Sequence, residues 1–184
     1  MAHDINRLIV LTGAPGAGKT TLIEALQRAG FARSVEAGRA IIQDQAAIGG
    51  TALPWRDPAA FADLMLSWDM RSYRMAAEHA GFVFFDRGIP DVTGYLRLSG
   101  LPVPDHVHKA AAIFRYHRRV FIAPPWPAIF KPDAERKQSL HEAERTYEAM
   151  VATYTSYGYE LVRLPLVRIE QRLRFINDQL GFQS

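Results

Sequence analysis

Gly13, Ala14, Pro15, Gly16, Ala17, Gly18, Lys19 and Thr20 have the spacing G-x-x-x-x-G-K-[ST], which is that of a phosphate-binding loop. Glycines at the first, fourth and sixth positions let the backbone curl until successive N–H groups converge on phosphate oxygens. A helix opening near Gly18 adds the positive end of its dipole. Lys19 supplies a full charge to the β- and γ-phosphates, and Thr20 a hydroxyl to Mg²⁺. The expected nucleotide-binding stretch runs on through Thr21. An apolar run precedes it and a helical pattern follows it, as the motif requires; a chance glycine-rich turn needs neither.

Asp86 is the second informative residue. It closes the apolar run Phe82-Val83-Phe84-Phe85, so its carboxylate should emerge beside the phosphate loop as a second oxygen ligand for Mg²⁺. The plainer reading is a helix cap before Gly88, Ile89 and Pro90. Arg87 follows, where a hydrolytic engine usually carries a water-activating carboxylate. An arginine there suits an anionic or hydroxylated acceptor better than it suits water activation.

These residues need an ordered scaffold, and the apolar periodicity supplies one. Strands are expected at Arg7–Thr12, Phe31–Glu36, Phe82–Asp86, Arg119–Ala123 and Tyr159–Leu164. Helices are expected after the loop up to Gly30, over Ala37–Ile48, from Pro58 to near Gly81, over Pro90–Ser99, Pro104–Phe114 and Ser139–Tyr157, and from Leu166 to Leu180. Phe61, Leu64, Met65, Trp68 and Met75 form the stripe expected to face the core. Strands alternating with helices predict an α/β, three-layer P-loop fold: a mostly parallel five-stranded sheet with helices on both faces. Ligands bind beyond the carboxyl ends of such strands. That puts the loop, Glu36, Asp86, Arg87 and the segment 124–137 on one rim.

The loop together with Asp86-Arg87-Gly88 resembles the nucleoside and nucleotide kinase branch of P-loop proteins. Glu36-Ala37-Gly38-Arg39, the turn Asp86 to Asp91, and Tyr157-Gly158-Tyr159 leading to Leu164-Pro165 look like a narrower group. These are small AAA-domain ATPases or kinases related to the ribosylnicotinamide kinase domain. The resemblance implies a phosphotransferase site. It implies that Glu36 contacts the acceptor hydroxyl and takes its proton; otherwise Glu36 complements the dipole of the helix it precedes. Arg39 would bind a phosphate of the acceptor or pair with Glu36 or Asp44, and Arg87 would bind the acceptor. A kinase must exclude water, so 124–137 is the lid candidate. Arg136 is the first choice for a cation on the transferring phosphoryl, with Lys137 and Lys131 next; otherwise this is a solvated charged loop.

The 184 residues, 48% hydrophobic and 22% charged, fit one domain spanning 1–184. There is no cysteine, which excludes disulfides and thiolate metal sites. The net charge is +3, and the many arginines of the second half are interleaved with acids, so a nucleic-acid partner is not expected. His106, His108 and His117 lack zinc-ligand spacing. Trp55 and Trp126 either stack on a base or cap the core. No signal peptide or membrane span is evident, and a cytoplasmic location is expected. No N-K-x-D sequence reads guanine, so ATP is the expected donor.

The sequence therefore describes an ATP- and Mg²⁺-dependent kinase acting on a nucleoside, nucleotide or related hydroxylated metabolite. Its rivals are a regulatory ATPase or GTPase working through a protein partner and a nucleic-acid-linked ATPase. The oligomeric state is not encoded in these features.

Overall fold

The computed structural model describes residues 4–130 and 139–182. Five strands form one sheet: β1 (Leu8–Gly13), β2 (Ala32–Arg33), β3 (Val83–Asp86), β4 (Arg119–Ala123) and β5 (Glu160–Arg163). Their order is β2-β3-β1-β4-β5, and every pairing is parallel. Among the described residues seven α-helices accompany them: α1 (Lys19–Arg28), α2 (Ala37–Ile48), α3 (Pro58–Glu78), α4 (Ile89–Leu98), α5 (Asp105–Ile113), α6 (Leu140–Ser156) and α7 (Ile169–Leu180).

Alternation along the strands explains the layers. Leu8, Val10, Val83 and Phe85 point to one face, where they pack with α3, α4, α5 and Tyr154 of α6. Ile9, Leu11 and Phe84 point to the other, against Leu22, Ile23 and Leu26 of α1 and Ile176 of α7. Consecutive strand residues face opposite ways, so a strand with helices on both sides must be apolar throughout. All six residues of β1 are buried. A smaller cluster joins Ala37, Ile41 and Ile42 of α2 to Leu53 and Phe61.

Several boundaries differ from the sequence reading. The strand expected at Phe31–Glu36 is only Ala32–Arg33. It is an edge strand pairing with Val83 and Phe84 alone, and the chain then leaves the sheet to begin α2. The face of α3 is rotated from the expected stripe. Phe61, Ala62, Leu66, Tyr73, Ala76 and Ala77 are buried, whereas Leu64 and Met75 are exposed; packing against α4 and the sheet selects small Ala side chains over Met75. Leu166 precedes α7, which begins at Ile169 with Arg168 as its cap, and is exposed. Among the described residues, no helix is long and apolar enough to cross a membrane.

Candidate active site

The loop between β1 and α1 has the conformation its glycines allow. Gly13, Gly16 and Gly18 all have positive φ, at 112°, 69° and 75°, a region that side chains other than glycine enter at a steric penalty. A Cβ on Gly13 would collide with the Ala123 backbone, and one on Gly16 would lie 2.8 Å from the Phe130 ring. The Ala14 N–H donates to the Ala123 carbonyl at 2.9 Å, tying the loop to β4. Gly18 caps α1, whose first turn carries Lys19 and the exposed Thr20 and Thr21.

Lys19 is buried, and its Nζ donates to the Ala14 carbonyl at 2.6 Å. Burial, aided by the Arg87 charge, lowers its pKa to about 7, against the pull of Asp86, Glu36 and Asp91. Asp86 pairs in register with Leu11, which sets it beside the start of the loop. Its N–H donates to Ser34 Oγ at 3.2 Å. Burial, then the nearby Glu36 charge, raises the Asp86 pKa, and its buried Oδ1 has no hydrogen-bond partner.

Arg87 is the one non-glycine residue with positive φ, 71°, among the described residues. Such a conformation costs on the order of 1–3 kcal/mol and persists only where surroundings over-determine it. Here its N–H donates to the Leu11 carbonyl at 2.9 Å. Its Nη1 lies 3.0 Å from Asp91 Oδ1 and its Nε 3.5 Å from Glu36 Oε1. Burial opposes the guanidinium charge, but Asp91 and Glu36 outweigh it and hold Arg87 protonated above its ordinary value. Nη1 also reaches the Gly13 carbonyl at 3.4 Å, so Arg87 spans from the phosphate loop to Glu36, the residue that caps α2.

Beyond Glu36 and Arg87 opens a cleft of about 340 Å³. Residues 36–38 and Ile42 of α2, Phe61, Met65 and Asp69 of α3, and Asp91, Val92 and Tyr95 of α4 form much of its wall, with Glu142, Arg145 and Thr146 of α6 on the far side. Trp55 stands at this cleft and is largely exposed. Arg39, in the first turn of α2, is exposed and is not among the lining residues. Arg136, Lys131 and Lys137 lie outside the described residues, as does most of the expected lid; of 124–137, only 124–130 are described.

Three residues escaped the sequence reading. Asp91 accepts from Thr12 Oγ1 at 2.5 Å, Tyr154 Oη at 2.6 Å and the Gly88 N–H at 3.0 Å, besides Arg87. Its place at the third position of a helix that opens Gly88-Ile89-Pro90 was the available signal, because an acid there can accept from the N–H of the capping residue. Asp69 follows Phe61 and Met65 at intervals of four, and that stripe lines the cleft. Arg172, 1% exposed, donates to the carbonyls of Ala17 and Pro165 at 2.9 and 2.8 Å. Its guanidinium lies 4.5 Å from the Trp126 ring centroid, so Trp126 stacks on Arg172. Nothing in the sequence announced that contact, because 155 positions separate Arg172 from Ala17. The three histidines have local partners: His106 meets Asp63, His108 meets Tyr157, and His117 meets the Arg119 backbone.

A family model described as AAA domain matches residues 8–172. Comparison with curated proteins finds no match. Among solved structures, NadR protein in complex with NR superposes with a TM-score of 0.76 at 18% identity, over 98% of this chain and 53% of that one. NadR in complex with NAD and AMP-PNP gives 0.66 at 18% identity, over 98% and 51%. Deoxyadenosine kinase from M. mycoides with bound dATP gives 0.64 at 14% identity, over 95% and 99%. The chain thus spans about half the length of the NadR chains it matches. The five-stranded parallel sheet and its flanking helices are the α/β P-loop kinase fold of these neighbours.

Proposed function

The chain belongs to the AAA-domain family, and we propose that within it this protein is a Mg²⁺-dependent kinase transferring the γ-phosphoryl of ATP to a hydroxylated small molecule, a nucleoside or a close relative. The observation that carries this reading is Arg87. One charged side chain, on a backbone held at positive φ, joins the Gly13 carbonyl of the phosphate loop to Glu36, which lines a separate cleft. A donor site and an acceptor site sharing one wall is what transfer between two bound molecules requires.

Each residue then has a task. The N–H groups of the loop, with Lys19, hold the phosphates; Lys19 regains its full charge once phosphate oxygens replace the Ala14 carbonyl as its partner. Asp86 and Thr20 would hold Mg²⁺. Their oxygens are the hard donors this ion prefers, and the orphaned Asp86 Oδ1 fits a ligand role. The ion would supply charge neutralisation on the β- and γ-phosphates. Glu36 orients the acceptor hydroxyl and takes its proton as the oxygen meets phosphorus. Arg87 fixes Glu36 and faces the same oxygen. We assign the donor base to the depression beside Gly18 formed by Trp126, Ile129 and residues 166–171.

The lining favours an acceptor that does not already carry phosphate. Among the described lining residues, four carboxylates (Glu36, Asp69, Asp91 and Glu142) face two guanidiniums (Arg87 and Arg145), and Arg87 is already engaged by Glu36 and Asp91. A cleft without surplus positive charge does not concentrate dianions.

The test is product formation. The protein, ATP and Mg²⁺ are incubated with nucleosides, nucleotides and pyridine ribosides, and products are identified by mass spectrometry. A phosphorylated nucleoside is expected, with slow ATP hydrolysis in its absence because no carboxylate follows Asp86 to position water. Glu36→Gln should reduce transfer far more than background hydrolysis. The reading is falsified if no acceptor is phosphorylated while a protein or nucleic-acid partner binds the ATP-loaded form alone.

A further inference from the structure

Arg172 is a buried guanidinium without a counter-ion. It is the fourth residue of α7, is 1% exposed, and forms no ion pair among the described residues. Burial lowers its pKa, with no acid to offset it; at Arg87, Asp91 and Glu36 outweigh the same penalty. A guanidinium nonetheless stays protonated. A cation kept from water without an anion is destabilising.

Its orientation is fixed from three sides. Nε donates to the Pro165 carbonyl at 2.8 Å and Nη1 to the Ala17 carbonyl at 2.9 Å. The guanidinium is planar, so two bonds set the direction of the whole fork. The Trp126 ring lies against it, its centroid 4.5 Å away. A Cβ on Gly18 would lie 3.5 Å from Nη1, so the charge sits directly against the phosphate loop. The remaining nitrogen, Nη2, is buried and has no hydrogen-bond partner.

The bond to Ala17 also orients the next residue. In a trans peptide the carbonyl of one residue and the N–H of the next point in opposite directions. With the Ala17 carbonyl turned toward Arg172, the Gly18 N–H points away from it. Gly18 caps α1 at φ 75°, and its N–H is one of the donors at the positive end of that helix.

Resting on the reading of this loop as the phosphate site, we infer that Arg172 is a positioning residue for the donor nucleotide: its fork holds the Ala17 carbonyl back so that the Gly18 N–H meets a phosphate oxygen, and the polyphosphate becomes the counter-ion that its charge lacks. Arg172 acts from behind the loop, through the Ala17–Gly18 peptide and through its field, which is weakly screened where water is excluded.

The test is binding of inorganic tripolyphosphate, which has neither base nor sugar, to the full chain in EDTA, measured by calorimetry. Arg172→Gln removes the charge but keeps an N–H donor for Ala17. Arg172→Lys keeps the charge but not the fork. Arg172→Gln should weaken tripolyphosphate binding about tenfold or more, and Arg172→Lys about threefold. With isotope-labelled glycine, tripolyphosphate should shift the Gly18 amide proton downfield in the wild type, and by less than about half as much in Arg172→Gln. A residue that merely tethers α7 would lower the melting temperature of both variants and leave the affinity and the amide shift as in the wild type. That outcome overturns the inference, as does a wild type that does not bind tripolyphosphate or a Gly18 amide that tripolyphosphate does not move. Should Arg172→Gln fail to fold, Arg172→Lys decides alone: wild-type affinity and amide shift overturn the inference. A phosphorylated acceptor together with unchanged tripolyphosphate affinity in the variants keeps the kinase reading and removes Arg172. Weakened tripolyphosphate binding with no acceptor ever phosphorylated keeps Arg172 and overturns the kinase reading.

Discussion

Arg87, just before α4, and Asp91, in the first turn of that helix, form an ion pair, Nη1 to Oδ1 at 3.0 Å, and Asp91 ties that pair to β1, to the cap of α4 and to α6. Thr12 at the end of β1, the Gly88 N–H and Tyr154 of α6 all donate to the same carboxylate. The acid that positions Arg87 is therefore also a junction holding the sheet, α4 and α6 together.

Asp91→Ala should be among the most damaging single substitutions in this protein. It leaves a buried guanidinium, a phenol and a hydroxyl without their acceptor, and breaking such a pair costs about 3–5 kcal/mol. Asp91→Asn keeps the shape but loses the charge, and should be damaging to a smaller degree. Chemical denaturation of the three proteins gives the comparison. Equal stability of all three would show that Asp91 is not a junction.

Nucleotide binding should be coupled to proton uptake by Lys19. Its pKa of about 7 in the unliganded loop leaves it mostly neutral at pH 8, and phosphate oxygens favour the charged form. Affinity should therefore fall about tenfold per unit as pH rises from 7 toward the ordinary lysine range. Calorimetry at pH 8 in buffers of different ionisation enthalpy reads the uptake directly. The stability consequence has the same origin. The unfolded chain holds this proton up to 10.5 and the folded chain only to about 7. Stability relative to Lys19→Met should thus rise with pH across that window, and be at its lowest below pH 7. Lys19→Met should also lose on the order of 10²–10³ in transfer rate.

Asp86→Asn should bind ATP in EDTA about as well as the wild type but gain little when Mg²⁺ is added, because a neutral amide is a poor ligand for a hard cation. The substitution also removes one of two like charges, Asp86 and Glu36, so the melting temperature should not fall. An unchanged Mg²⁺ dependence would remove Asp86 from the metal site.

Gly16→Ala adds a Cβ at φ 69°, 2.8 Å from the Phe130 ring. It should weaken nucleotide binding by roughly five- to 150-fold, through strain of about 1–3 kcal/mol in the loop. Because the obstructing atom belongs to a side chain, Gly16→Ala combined with Phe130→Ala should recover part of the loss in a double-mutant cycle. Strictly additive losses would place Phe130 outside the loop's packing.

What the sequence alone determined about this protein is what local spacing encodes. The glycines of the phosphate loop impose its positive φ angles. Apolar runs identify doubly covered strands, and the bounds of α2 and β4 follow from periodicity and from the flanking glycine and prolines. The placement of Asp86 at the rim was legible because it ends an apolar strand, whereas Glu36 reaches the rim as the cap of α2, after β2 has ended at Arg33. The remaining relationships were decided by tertiary structure. Which face of α3 meets the cleft depends on how that helix packs against α4 and the sheet, and so Asp69, not Trp68 or Met75, belongs with Phe61 and Met65 on the lining stripe. Arg87 meets Glu36 across 51 positions, and Asp91 meets Thr12 across 79. A chain read one residue at a time carries dihedral preferences and face alternation. It does not carry the rotation of a helix about its own axis or the parallel register between strands, which are fixed only when all the layers close on one core.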